Sequence, residues 1–453
     1  MASVASLCPA RAFAQLFKPG NLVVTAYGNS GTASLDGQLT AITLIEFSTA
    51  GGPAVSTFVV PTADGVGGSA NLGVVGEYGS SSEGNIQASA NGQYLTFGAY
   101  GATGSANGIQ TATNVANGTS FALGTAYSGS TIALGQSSDK DVPRVAAEID
   151  INGNVNSSTV FNDLFNTNNP RSVFSSDGTS VYISGQGDGN TTNQGIFYAP
   201  VGLNTITSSG TPTGIYNSVD TRFVSANAGN LYFSVDKKSV ITGIFEFAGL
   251  PTTSMTPARI TAASNGLTGA SGVNYSPEGF FFANATTLYV ADTGQPKNKS
   301  GGVAGDGGVQ KWVLSGGTWQ LLYTFKNPST FVSHSAGPQA TSGETGFEAI
   351  TGQVAGDSVQ LFAVSYTAAD DQPNGLYTIS DTLDGASNPG TTLTQIESAP
   401  GSGGIVFKGV TFALVPPPIG EPAMPVWALI LLAALLVWAA TRFLSKRAAH
   451  PAG

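Results

Sequence analysis

The sequence predicts an all-β chain, a six-bladed β-propeller closed by its own last strand, and three observations predict it. The first is a hairpin unit that recurs along the chain and is sharpest at Glu278–Asp292 (EGFFFANATTLYVAD). There two apolar runs, Phe280–Phe282 and Leu288–Val290, are joined by Asn284-Ala285-Thr286-Thr287 and closed by Asp292-Thr293-Gly294. Aromatic and β-branched runs of strand length, bounded by Asn, Thr and Gly, read as paired strands. The second is punctuation: 60 glycines and 23 prolines among 453 residues separate short runs, which favours strands and turns over helices. The third is spacing. Glu83, Arg171, Arg222, Glu278, Glu348 and Lys408 each open the inner strand of a strand group, with gaps of 88, 51, 56, 70 and 60 residues. Repeats of that length carrying four strands have the size of propeller blades.

Taken in order, Leu22–Tyr27, Ile42–Phe47 and Thr57–Val60 are three strands with no fourth before Glu83. A polar Gly/Ser stretch covers 62–82. Ile86–Ser89 and Tyr94–Phe97 flank Ala90-Asn91-Gly92-Gln93, a tight hairpin turn. Residues 101–140, rich in small polar residues, are predicted to be a surface insertion that inflates the first gap. Arg144–Asp150 and Thr159–Phe161 resume the pattern. Ser172–Phe174, Val181–Ser184 and Gly195–Tyr198 follow, then Phe223–Ser225, Leu231–Val235 and Ile244–Phe247. The opening hairpin leads to Val309–Leu314 and Trp319–Phe325 around a Gly-Gly turn. Ala349–Gly352, Val359–Tyr366, Leu376–Ile379 and Leu393–Ile396 form the last full set, and Val406–Ala413 stands alone. Placing that lone strand innermost beside the three N-terminal strands closes a ring of six blades. A split of the 62–142 region would instead give seven.

Charged residues make up 10% of the chain, well under the roughly 25% usual in soluble domains. The net charge of −10 argues against nucleic acid as a partner. A single cysteine, Cys8, excludes an internal disulfide. Residues 1–15 are expected to be the remnant of a signal peptide, with Ala12-Phe13-Ala14 as a small-residue cleavage site, or else a disordered leader.

Leu288-Tyr289-Val290-Ala291-Asp292-Thr293-Gly294 resembles the hallmark of NHL-type propeller repeats. Val309–Phe325 (VQKWVLSGGTWQLLYTF) is similar to a strand pair of exported bacterial propellers of unassigned function. The resemblance spans roughly residues 20–415 and implies a fold, which does not fix a function.

The C-terminus has a three-part design. Residues 416–425 form a Pro-rich linker, and Val426–Ala440 carries neither a charge nor a polar side chain. Extended to Leu444, the segment 426–444 would span about 28 Å as a helix, close to a bilayer core. A basic tail, 445–453, follows. Arg442, Lys446 and Arg447 form a stop that keeps the C-terminus cytoplasmic and the propeller outside. Glu421-Pro422-Ala423-Met424-Pro425-Val426-Trp427 then resembles the motif of IPTL-CTERM and PEP-CTERM sorting signals. Pro422 and Trp427 match that motif, while Glu421, Ala423 and Met424 depart from it. The resemblance implies an exosortase-type transpeptidase as a partner and sorting to the cell envelope or beyond, with a plain membrane anchor as the alternative.

Catalytic constellations are sparse. Of the two histidines, His334 lies in a Ser/Gly-rich loop and His450 in the tail, so the body has too few imidazoles for a His-based metal site. Gly185-Gln186-Gly187-Asp188-Gly189 joins two strands and lacks the helix that a phosphate loop needs. Asp370-Asp371 and the 185–190 loop offer oxygen atoms to calcium but not the usual acidic spacing, so no cofactor is implied. The six aligned charges remain as the candidate site. In a propeller all six approach one rim of the channel, where Arg222–Glu278 and Lys408–Glu348 are expected to pair as a structural network. Alternatively Arg171, Arg222 and Lys408 hold a polar ligand that Glu83, Glu278 or Glu348 orients. Two function classes follow. One is a non-catalytic binding or structural protein of the envelope or its extracellular polysaccharide. The other is a channel-mouth hydrolase or lyase acting on extracellular carbohydrate or lactone.

Overall fold

The computed structural model describes residues 15–28, 37–80, 82–105, 108–111, 120–121, 134–237, 241–262, 275–294, 307–326, 328, 331, 343–367, 372–390, 393–401, 404–416, 435 and 438. Six antiparallel sheets form a ring. Blade one runs, from the axis outward, Val406–Phe412, Leu22–Tyr27, Ile42–Phe47, Ser56–Val59. The lone last strand therefore closes the ring as the sequence predicts, pairing Leu22 with Phe412 and Tyr27 with Val406. Blades three to six each hold four strands. Their inner members are Pro170–Ser175, Val224–Asn227, Pro277–Asn284 and Glu344–Ala355.

Blade two departs from the plan. Its inner strand is only Gln87–Ala88, beside Tyr94–Ser105, Arg144–Asp150 and Val155–Phe161. Within the stretch read as a polar connection, Val74–Glu77 is a buried strand that pairs with the far end of Tyr94–Ser105. Leu39–Thr40 adds to it in turn. The extra strands extend this one sheet and do not build a seventh blade. The predicted insertion is also partly structural: Leu134 and Gly135 are buried, and Gly135 N donates to Glu77 Oε2.

Local chemistry explains the hairpins. At the Glu278–Asp292 hairpin, Thr286 N donates to Asn284 Oδ1 at 2.8 Å, an Asx turn that reverses the chain. At Ala90–Gln93 the turn needs a left-handed residue, which Gly92 supplies at φ +68°. The apolar core lies in the seams between blades. Phe223, Tyr232 and Ile244 of blade four pack with Phe280, Leu288 and Trp312 of blade five. Leu22 and Val24 of blade one pack with Phe362 and Val364 of blade six.

Side chains bolt the seams. Thr25, Ser184 and Ser234 each sit on the second strand of a blade, opposite the residue that follows the aligned charge. Each donates to a carbonyl on or just before the next inner strand: Gly84 O (2.7 Å), Arg222 O (2.5 Å) and Glu278 O (2.6 Å). Asn374 of blade six clamps the closing strand twice, donating to Phe407 O and accepting from Phe407 N.

The chain divides into two units, Met1–Val415 and Pro416–Gly453. In the second, Leu435 and Trp438 are helical and exposed. Among the described residues no helix is long and apolar enough to cross a membrane. Residues 1–14, His334, Asp370, Asp371, Pro422, Trp427, Arg442, Lys446, Arg447 and the rest of 426–444 lie outside the described residues.

Candidate functional site

The residue after each aligned charge is small in five blades of six: Gly84, Ser172, Gly279, Ala349 and Gly409. Neighbouring inner strands use this to reach main-chain contact. A Cβ on Gly409 would lie 2.4 Å from Gly84 O, and one on Gly279 3.1 Å from Ala349 Cα. With the strands this close, the six charged side chains are buried: none of Glu83, Arg171, Arg222, Glu278, Glu348 and Lys408 exceeds 7% exposure.

Arg222 is the centre of one half of this cluster. Its Nη1 lies 3.2 Å from Glu278 Oε1 and its Nη2 3.4 Å from Asp236 Oδ2, so the expected Arg222–Glu278 pair is present. Burial disfavours the guanidinium cation, yet Glu278, Asp236 and Asp220 outweigh it and hold the Arg222 pKa above its ordinary value. Arg171 lies 3.5 Å from Asp220, donates to Thr221 O at 3.0 Å and also donates to Gln186 Oε1. Burial, and then the like charge of Arg222, lower its pKa to about 10, so it remains a cation at neutral pH.

The other half is carboxyl-rich. Glu83 accepts from Tyr100 Oη (2.5 Å), from Asn169 Nδ2 and from Glu77 N (3.2 Å). Burial raises its pKa despite these donors. Lys408 Nζ donates to Ser80 O at 2.6 Å. Tyr27, fully buried beside Gly76 and Gly84, has its own pKa raised by burial and by the nearby Glu83, Glu348 and Glu77. Arg144 is fully buried too, its guanidinium held by Ser137, Val142 O and Asn168 O and set over the Tyr100 ring at 5.2 Å.

All six sequence-predicted charges are buried, and Arg222 and Glu278 pair as expected. Three cations against three carboxylates would cancel, whereas Asp220, Asp236 and Glu77 join the cluster and make its carboxyl groups outnumber its cations. None of the three opens an inner strand, so the alignment passes over them. Elsewhere, Asp188 in the 185–190 loop is tied to Asn190 N and Asn166 Nδ2. Among the described residues no three His, Cys, Asp or Glu side chains are grouped to hold a metal ion.

The ring of sheets and its axial cluster define a six-bladed β-propeller. No family model matches the chain, and neither does any curated protein. Solved structures similar to it include a chain of a nidogen–laminin complex, at 9% identity and TM-score 0.39, covering 87% of this chain and 98% of that one. A putative TolB from Agrobacterium tumefaciens is similar at 12% identity and TM-score 0.35, covering 83% and 98%. The gluconolactonase of Xanthomonas campestris is similar at 9% identity and TM-score 0.33, covering 87% and 98%. These likenesses carry nothing on function.

Proposed function

We propose that this chain is an exported, NHL-like propeller that acts without catalysis, as a binding or structural protein of the cell envelope or its polysaccharide matrix. One observation carries the reading: the charges that would serve a channel-mouth enzyme are buried and engaged with other protein groups. A general acid or base must come within hydrogen-bond reach of substrate. Glu83 instead receives Tyr100, Asn169 and a backbone amide, and Arg222 faces two carboxylates. The tail supports the address. Pro422, Trp427 and the basic Arg442, Lys446 and Arg447 resemble a sorting signal read by an exosortase-type transpeptidase, with 426–444 as the span before processing.

Purified protein is to be assayed on lactones and on neutral and uronate polysaccharides, for both turnover and retention. Retention without turnover is expected. Turnover that disappears in Glu278→Gln would overturn the non-catalytic reading in favour of a hydrolase or lyase. Mass spectrometry of the mature surface protein should find the Arg442–Gly453 peptide missing, and its recovery would leave simple anchoring.

A further inference from the structure

Beyond the charged cluster, the same inner strands enclose a second space. It is a cavity of about 190 Å³, lined by five of the six blades at positions one to five residues after the aligned charges. Blade three is absent from the lining because Gln87 lies across it, its Nε2 donating to Val173 O at 2.8 Å and to Val224 O at 2.7 Å. No lining residue is ionisable. Phe223, Phe280 and Phe281 also line it, with Phe223 and Phe280 edge to face at 5.1 Å.

The polar part of the lining is incomplete. Asn85, Ser225, Thr351 and Thr411 make no side-chain hydrogen bond among the described residues, although Asn85 and Thr411 are only 4% and 6% exposed. Here one amide and three hydroxyls reach a shared space, where water or a bound ligand satisfies them. A ligand that displaces water from such groups must replace those hydrogen bonds or lose affinity. Ala88, Ser225, Phe281 and Thr351 are half-buried and mark the rim where it meets solvent.

We propose that this cavity binds a neutral saccharide ring, either a monosaccharide or the end of a glycan. This rests on the binding-protein reading above and names the ligand class and its place. Size fits: an engineered apolar cavity of roughly 150 Å³ takes benzene, so this one takes a six-membered ring with its substituents. Chemistry fits as well. Hydroxyls of a pyranose meet one amide and three hydroxyls, its C–H faces meet phenylalanine rings, and a lining without charge leaves a carboxylate or phosphate uncompensated.

The test is calorimetric titration of the full chain in detergent with methyl glycosides of glucose, galactose, rhamnose and N-acetylglucosamine, and with glucuronate and galacturonate. Saturable binding of at least one neutral probe is expected, with uronates at least about tenfold weaker, the scale of one unpaired polar group. Thr351→Phe should abolish binding by filling the space. Thr411→Val, which deletes a hydroxyl that holds nothing in the fold, should raise Kd about three- to tenfold with the melting temperature unchanged. Absence of saturable neutral-probe binding up to about 50 mM overturns the inference. Binding untouched by both substitutions, or preference for uronates, overturns the cavity as the site while leaving a binding propeller. Turnover of a probe would count against the non-catalytic reading and not against the cavity.

Discussion

At one end of the axis the inner strands bring together Arg171, Arg222, Glu278, Glu83 and Lys408, with Asp220, Asp236 and Glu77 joining from elsewhere. A few residues further along the same strands they present Asn85, Ser225, Thr351 and Thr411 among phenylalanines. The charged end is filled, and its ionic side chains pair with one another or with main-chain carbonyls. The neutral end has room, and its polar groups lack such neighbours. Burial alone therefore does not mark a site. What separates structural polar groups from available ones is whether their partners are already in the fold.

The largest effect should come from the element both ends share. The strand Val406–Phe412 gives Lys408 to the charged end and Val410 and Thr411 to the cavity. A chain ending at residue 403 should lose cooperative unfolding and aggregate through the opened strand edges. A monomer with an unchanged melting temperature by scanning calorimetry would break the closure argument.

Next is Glu278→Leu, which leaves the buried Arg222 with Asp236 as its remaining close carboxylate. Removing one partner of a buried pair costs about 3–5 kcal/mol, read by urea titration. A loss under about 1 kcal/mol, the value of an exposed pair, would show that the charged end is not a structural network.

Of the two ends, protonation should act on the charged one. Glu83 has a pKa raised above 4.5 in the folded state, so the folded chain holds its proton more tightly than the unfolded chain. Its contribution is complete below about pH 4.5 and is lost as pH rises through the folded value. Glu83→Gln should flatten this part of the decline in urea midpoint above pH 4.5. Ligand binding in the uncharged cavity should stay constant over the same range.

The smallest effects give the sharpest contrast, because the chemistry is identical. Thr25→Val deletes a hydroxyl that donates to Gly84 O and should cost about 1–2 kcal/mol, whereas Thr411→Val should cost under about 0.5 kcal/mol. Equal losses in urea titrations would erase the distinction between the two ends.

The sequence made the ring legible where local chemistry sets the structure. The Asn284 turn, the six opening charges and the unpaired Val406–Ala413 run all carry their own signal. Thr213–Tyr216 and Ala258–Arg259 were not legible, being too short and polar to show alternation; they are strands because Gly195–Pro200 and Ile241–Phe247 offer an edge. Val74–Glu77 was hidden in a glycine-rich stretch whose pairing partner lies beyond the next turn. At the site, the Arg222–Glu278 pair could be read from the spacing, but the acidic partners Asp220 and Asp236 could not. The cavity was out of reach as well, since it follows from how closely Gly279 and Gly409 let the strands converge.

The closing strand also sets the order in which the ring is completed. Gln15 Nε2 donates to Leu414 O across 399 residues of chain, and Leu22 waits for Phe412. Loop closure over such a span adds little free energy, about 0.6 kcal/mol per doubling of length, but contacts this remote form slowly. As the chain is made from its N-terminus, blade one stays a three-stranded sheet until nearly the whole sequence has emerged. Synthesis thus delivers five potentially complete blades before the sixth, and an open ring persists up to the last strand.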